Sequence, residues 1–184
     1  MSGILSEQVA VVTGAGRGIG KAIALALGEA GAHVVCLSRT LSDIETTADA
    51  LKAMGRKAWA HAVDVSDSQA AQEIAATIVK ETGRVDILIN NAGIVSGKSL
   101  LEIPDEKIEL TFGVNTMALF WTTKAFLPEM LRRDSGHIVT IASSAGLVGA
   151  AKLTDYCASK WAAVGFDESL RMELREHPPG VKTT

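Results

Sequence analysis

Short apolar runs alternate with longer stretches in which apolar positions recur at helical spacing, from one end of the chain to the other. Gln8 to Val12 is a valine-rich run closed by Thr13-Gly14 and predicts a buried strand. Ile19, Ile23, Ala26, Leu27 and Ala30 then fall on one helical face, so Gly18 to Ala30 predicts a helix that Gly31 stops. His33 to Leu37 predicts a second strand, and Leu41 to Met54 a second helix ended at Gly55. Lys57 to Val63 alternates strictly, with Ala58, Ala60 and Ala62 on one face and Trp59, His61 and Val63 on the other. Such alternation suits a strand near the edge of a sheet.

Asp67 to Thr82 predicts a third helix, with Ile74 and Ile78 one turn apart, and Val85 to Ile89 a fourth strand. A long helical stretch in two segments follows over Pro104 to Arg133. His137 to Ala142 predicts a fifth strand, and Asp155 to Glu176 a final helix broken by Pro178-Pro179. Strands and helices in strict alternation predict an α/β fold: a doubly wound parallel sheet with helices on both faces. No linker, low-complexity tract or charge block interrupts residues 1–184, which predicts one domain.

Composition narrows the function classes. With 47% hydrophobic residues and a formal charge of −3, the chain is neither disordered nor electrostatically drawn to nucleic acid or an anionic membrane. No apolar run approaches the roughly 20 residues of a membrane span, and no signal peptide or anchor fits before the first strand. Cys36 and Cys157 lie far apart without metal-ligand spacing, which predicts free thiols in a reducing compartment, the cytoplasm. The four histidines are scattered, and no metal site is expected.

Thr13-Gly14-Ala15-Gly16-Arg17-Gly18-Ile19-Gly20 joins the first strand to the first helix. Glycines at a strand-to-helix turn let the backbone approach a pyrophosphate, whose charge then faces the helix N-terminus. Taken alone the segment could be a tight connection, but its position between strand and helix points to a dinucleotide and a Rossmann-like fold. Its G-x-x-x-G-x-G spacing, over Gly14, Gly18 and Gly20, resembles that of short-chain dehydrogenases/reductases. Three later stretches share the resemblance: Asn90-Asn91-Ala92-Gly93, Asn115, and Ser143 with Tyr156-Cys157-Ala158-Ser159-Lys160. It runs from about Gln8 to the end of the chain.

The resemblance implies a nicotinamide cofactor held by Gly14, Arg17, Gly18, Ile19, Gly20, Asn91, Ala92 and Gly93, with Asp64 and Val65 at the adenine edge. Where an acid would hold the ribose 2′-hydroxyl of NAD, this chain reads Ser38-Arg39, with no acid before Asp43. A guanidinium pairs with a 2′-phosphate and an acid repels it. Arg39, with Arg17 in the glycine loop, therefore predicts NADP(H) in preference to NAD(H), unless both arginines are ordinary surface charges.

Tyr156 and Lys160 are four residues apart on a predicted helix and so share a face. A free phenol, with a pKa of about 10, is mostly the wrong species for proton exchange at neutral pH, and a neighbouring ammonium favours the phenolate. Tyr156 is the only tyrosine in the chain. By resemblance Tyr156 exchanges the proton with the substrate oxygen, Lys160 holds the nicotinamide ribose and favours the phenolate, and Ser143 stabilises the reacting oxygen. Asn115 is a poor helix former in mid-helix; by resemblance it holds a helix irregularity and a water that relays protons to the lysine.

The expected function is an NADP(H)-dependent oxidoreductase interconverting a carbonyl and a secondary or primary alcohol. Asp155 to Leu174 and the closing Lys182-Thr183-Thr184 look like the branch acting on retinoids, steroids and other lipophilic alcohols; that branch often carries a membrane anchor. A soluble reductase of β-ketoacyl or general carbonyl compounds remains the alternative substrate class. The resemblance also implies a homo-oligomer packed through the long helices near Asn115 and Tyr156, with Phe120, Trp121 and Phe126 serving core or subunit interface. The chain stops where the family enters its sixth strand, so the fifth strand is expected to present an open edge. A second reading is then a catalytically impaired nucleotide-binding fragment or interaction module.

Overall fold

In a computed structural model, which describes residues 3–184, six parallel strands form one sheet in the order β3-β2-β1-β4-β5-β6. The strands are β1 Val9–Thr13, β2 His33–Ser38, β3 Ala58–Ala62, β4 Ile87–Asn90, β5 Gly136–Thr140 and β6 Val181–Thr183. The crossover helices are α1 Gly18–Glu29, α2 Leu41–Ala53, α3 Ser68–Thr82, α4 Asp105–Phe112, α5 Ala118–Arg132 and α6 Thr154–Leu174. The Rossmann-like architecture expected from the alternation is the one observed, and the strictly alternating β3 does lie at an edge. No helix among the described residues is long and apolar enough to cross a membrane.

Both faces of the sheet are covered, so successive strand residues enter different cores. Val9 and Val11 pack with Leu37, Ile78, Leu88, Phe126 and Met130, whereas Ala10 and Val12 pack with Cys36, Ile44, Leu51 and Ile89. Register follows: Val11 sits opposite Val35 on one side and Leu88 on the other. Burial pushes the Cys36 thiol up to about 12, which makes it an inert apolar filler.

One feature departs from expectation. The fifth strand is not an open edge: Val181–Thr183 pairs with it, placing Gly136 opposite Val181 and Ile138 opposite Thr183. Val181 is buried with Leu170 and Leu174 of α6, and the Gly180 N–H donates to Asp134 Oδ1 at 2.8 Å, so packing draws this short segment onto the sheet. The two segments of the long helical stretch, α4 and α5, are joined without a break by a π-helical turn over Gly113–Met117. Asp86 is buried and paired with Arg84 and Arg133 while accepting the Val9 N–H at 2.9 Å.

Candidate active site

Strand order reverses at β1, since β2 and β3 lie on one side of it and β4 to β6 on the other. At such a switch point the loops after neighbouring strands run apart and leave a crevice at the carboxyl edge. A cleft of about 550 Å³ opens there, lined by the glycine loop, the end of β2, residues after β3, the turn after β4 and one face of α6.

The glycine loop is built around close backbone approach. Gly14 has a φ of +68°, and a Cβ there would stand 2.9 Å from Asn91 Nδ2. At Gly20 a Cβ would fall 2.2 Å from the Gly14 carbonyl oxygen, so α1 starts this close to the loop only without a side chain. The Asn91 amide donates to the Thr13 carbonyl at 2.9 Å, and Thr13 Oγ1 accepts the N–H groups of Asn91 and Ala92 at 3.0 and 2.9 Å. These bonds lock the turn after β4 to the loop after β1. The α1 N-terminus has no side-chain cap and no acid in its first turn, so its leading N–H groups face the cleft unclaimed by a side chain. This donor set, with Gly16, Arg17, Gly18 and Ile19 also in the lining, suits a dinucleotide pyrophosphate.

Ser38, Arg39, Asp64 and Val65 line the other arm of the cleft. Ser38 Oγ donates to the Thr40 carbonyl at 3.0 Å, and Asp64 Oδ1 accepts from the Ser66 N–H and hydroxyl at 3.0 and 2.6 Å; both bonds shape their own turns. Asp43 also lines the cleft. Its Cβ lies so near Gly16 that a side chain there would meet it at 2.6 Å. The first acid after the end of β2 thus lines the same cleft as Arg17 and Arg39. Its only sequence signal is an ordinary one, an acid in the first turn of a helix.

Tyr156 and Lys160 stand together at the α6 face of the cleft with Gly93 and Ile94. Lys160 is only 5% exposed, and its Nζ donates to the Ile141 carbonyl at 2.6 Å and sits 6.0 Å from the Tyr156 ring centroid. Desolvation by burial lowers its pKa below the ordinary lysine value. Asn115 lies in the π-helical turn, buried behind the lining rather than in it. Its amide donates to the Ile94 carbonyl and to Ser159 Oγ, both at 2.9 Å. A Cβ built on Gly93 would be 3.5 Å from Asn115 Oδ1 and 3.9 Å from Lys160 Nζ, so the three converge.

Ser143 flanks the cleft one residue beyond the lining residue Ala142. It is half-buried, and its Oγ accepts the Ala145 N–H at 3.1 Å, capping a short helical turn over Ser144–Gly146. The accepting role leaves the hydroxyl proton free to be donated. Asp155, not singled out in the sequence, is buried beside Tyr156 and accepts from the Ser96 and Thr111 hydroxyls at 2.8 and 2.9 Å. It ties the segment after β4 and helix α4 to the start of α6. Nothing in the local sequence marks that burial, which depends on three segments distant along the chain.

A family model, short chain dehydrogenase, matches residues 8–183. Among curated proteins, the chain is 44% identical to epidermal retinol dehydrogenase 2 of Homo sapiens, covering 98% of this chain and 59% of that protein. It is 42% identical to retinol dehydrogenase 10-B of Danio rerio, covering 96% of this chain and 59% of that protein. It therefore spans 59% of the length of these two relatives. Among solved structures, a metagenomic short-chain oxidoreductase in complex with NADP superposes with a TM-score of 0.92 at 39% identity, over 97% of this chain and 80% of that one. A short chain dehydrogenase/reductase from Burkholderia phymatum in complex with NAD gives 0.94 at 34% identity, over 98% of this chain and 64% of that one.

Proposed function

Because this chain belongs to the short-chain dehydrogenase family, we propose that it interconverts a carbonyl and a secondary or primary alcohol by hydride transfer, with NADP(H) preferred over NAD(H). The observation that carries the reading is the single cleft with a glycine loop and two arginines on one arm and Tyr156 with Lys160 on the other. A bound nicotinamide supplies or takes the hydride, and the remaining tasks fall to side chains. Tyr156 gives a proton to the substrate oxygen in reduction and takes it back in oxidation. The Lys160 ammonium, oriented by the Ile141 carbonyl, bonds the nicotinamide ribose in this reading. Ser143 keeps its proton and donates a hydrogen bond to the reacting oxygen, where negative charge develops. Asn115 holds the floor beneath Gly93 and Ile94 in register with α6.

The NADP(H) preference rests on Arg17 and Arg39 at the adenosine arm. A lipophilic alcohol of the retinol class is the substrate proposed, since two of the similar proteins are retinol dehydrogenases. A homo-oligomer is proposed through α5 and α6, where Phe120 and Trp161 are 41% and 53% exposed and Met117 stands in the preceding turn. A reducing compartment such as the cytoplasm is proposed from the two free, buried cysteines.

The test is hydride transfer, followed by nicotinamide absorbance, with retinol, simple secondary alcohols and their carbonyl forms, using each cofactor in turn. NADPH-dependent turnover that Tyr156→Phe abolishes supports the reading. Tight NADPH binding with no turnover of any substrate would instead favour a nucleotide-binding module.

A further inference from the structure

We propose that a second cavity, of about 320 Å³, between the segment after β4 and helix α4, binds a small single-chain amphiphile with an anionic head. Its volume is at the lower end of the range of ligand pockets, about 300–1,000 Å³. Ile94, Val95, Pro104 and Leu110 form apolar walls, and every charged residue in the lining is a cation: Arg39, Lys98 and Lys107. None of the three makes an ion pair within 4.0 Å among the described residues.

The polar groups of the cavity are already committed. Ser96 and Thr111 give their hydroxyl protons to the buried Asp155 carboxylate behind them, at 2.8 and 2.9 Å. They therefore offer no free donor to a neutral polar ligand, and both Asp155 oxygens are satisfied. Glu102, whose carboxyl is held below its ordinary value by the Ser99 hydroxyl and N–H with a smaller contribution from the Lys98 charge, lies outside the lining. What remains is hydrocarbon wall and unpaired positive charge. A hydrocarbon chain gains from leaving water, and a carboxylate or phosphate head gains from three cations beside a low-dielectric wall. A neutral alcohol lacks the second gain, and inorganic phosphate the first.

Arg39, Ile94 and Val95 also line the main cleft, so the two sites share one cation. An anion that draws Arg39 into the second cavity weakens the cleft's hold on a 2′-phosphate, and the effect is reciprocal. Direct binding needs no cofactor, so its failure is distinguishable from failure of the NADP(H) reading.

The experiment is calorimetric titration of the chain with decanoate, decyl phosphate, decanol and inorganic phosphate, each below its micellar concentration. Decanoate and decyl phosphate should bind at one site, each about tenfold or more tighter than decanol. Lys98→Ala/Lys107→Ala should weaken both about tenfold and leave NADPH affinity within about twofold, because neither lysine lines the main cleft. Equal binding of decanoate and decanol, phosphate binding as tightly as decanoate, indifference to the double variant, or no heat from a chain folded by circular dichroism would each overturn the proposal.

Discussion

The Asn115 side chain clasps the backbone of Ile94 at both ends: Oδ1 accepts the Ile94 N–H at 2.8 Å and Nδ2 donates to the Ile94 carbonyl at 2.9 Å. A carboxamide is the smallest side chain that completes such a backbone-like pair. Its remaining donor reaches Ser159 Oγ, which in turn donates to the Tyr156 carbonyl at 2.7 Å. The π-helical turn is therefore the point where the segment after β4 is indexed to the helix bearing Tyr156 and Lys160, in keeping with the frequent occurrence of such turns at functional sites.

Replacing Asn115 with Ala strips the half-buried Ile94 N–H and carbonyl of their partners. The expected cost is about 2 kcal/mol of unfolding free energy, measured by urea denaturation. If the chain turns over as proposed, kcat falls more than NADPH affinity does, because Ile94 flanks the Tyr156 end of the cleft.

Tyr156→Phe should reduce kcat by about 10²–10⁴-fold, the range for loss of a general acid, with NADPH binding kept within about threefold. The wild-type rate should also fall at high pH. Burial lowers Lys160 from 10.5, so its charge, and with it the hold on the nicotinamide ribose, is lost below the ordinary lysine range. A rate unchanged up to pH 10.5 would count against an essential ammonium.

Arg39→Ala should weaken NADPH about tenfold or more while leaving NADH within about twofold, since only the 2′-phosphate distinguishes them. Asp43→Asn offers the converse, because that carboxylate lines the same cleft and repels phosphate. It should tighten NADPH and leave NADH little changed. Calorimetry with both cofactors separates these outcomes.

Asp86 anchors the amino-terminal end of the sheet. Burial alone would raise its carboxyl pKa, but hydrogen bonds from Arg84, the Val9 N–H and Arg133 bring it below the ordinary 3.8. A depressed folded value stabilises the fold above the unfolded pKa, and that stability is lost as pH falls through the lowered value. Asp86→Ala leaves Arg133 with Glu129 and the Val85 carbonyl but strands the Val9 N–H, at an expected cost of about 2 kcal/mol. It should also flatten the acid limb of the stability curve below pH 3.8.

On α5 and α6, Phe120 packs edge-to-face on Phe166 with ring centroids 4.8 Å apart, yet remains 41% exposed. Phe120→Glu/Trp161→Glu should lower the mass seen by sedimentation if these helices meet a second copy. An unchanged mass would place any subunit contact elsewhere.

The sequence by itself determined the first five strands and most of the residues that line the cleft, because both depend on local signals. Valine-rich runs alternating with helical periods leave few arrangements besides parallel strands with crossover helices. Glycines are legible wherever the backbone needs them, and Tyr156 with Lys160 is legible because helical spacing puts both on one face. The bounds of strands were less legible: β4 is bounded at Ile87 rather than Val85, although Asp86 is buried and still makes backbone bonds to Val9 and His137.

Only the tertiary structure decided which distant groups meet. Asp43 reads as an ordinary helix-start acid until α2 packs on Gly16, and Asp155 reads as polar surface until Ser96 and Thr111 close over it. The pairing of Asp86 with Arg133 spans 47 residues, and β6 joins the sheet because Val181 finds a buried place against α6. Periodicity records what a residue needs from its own element. Burial and charge pairing are properties of the space between elements, and a linear pattern carries no distance across that space.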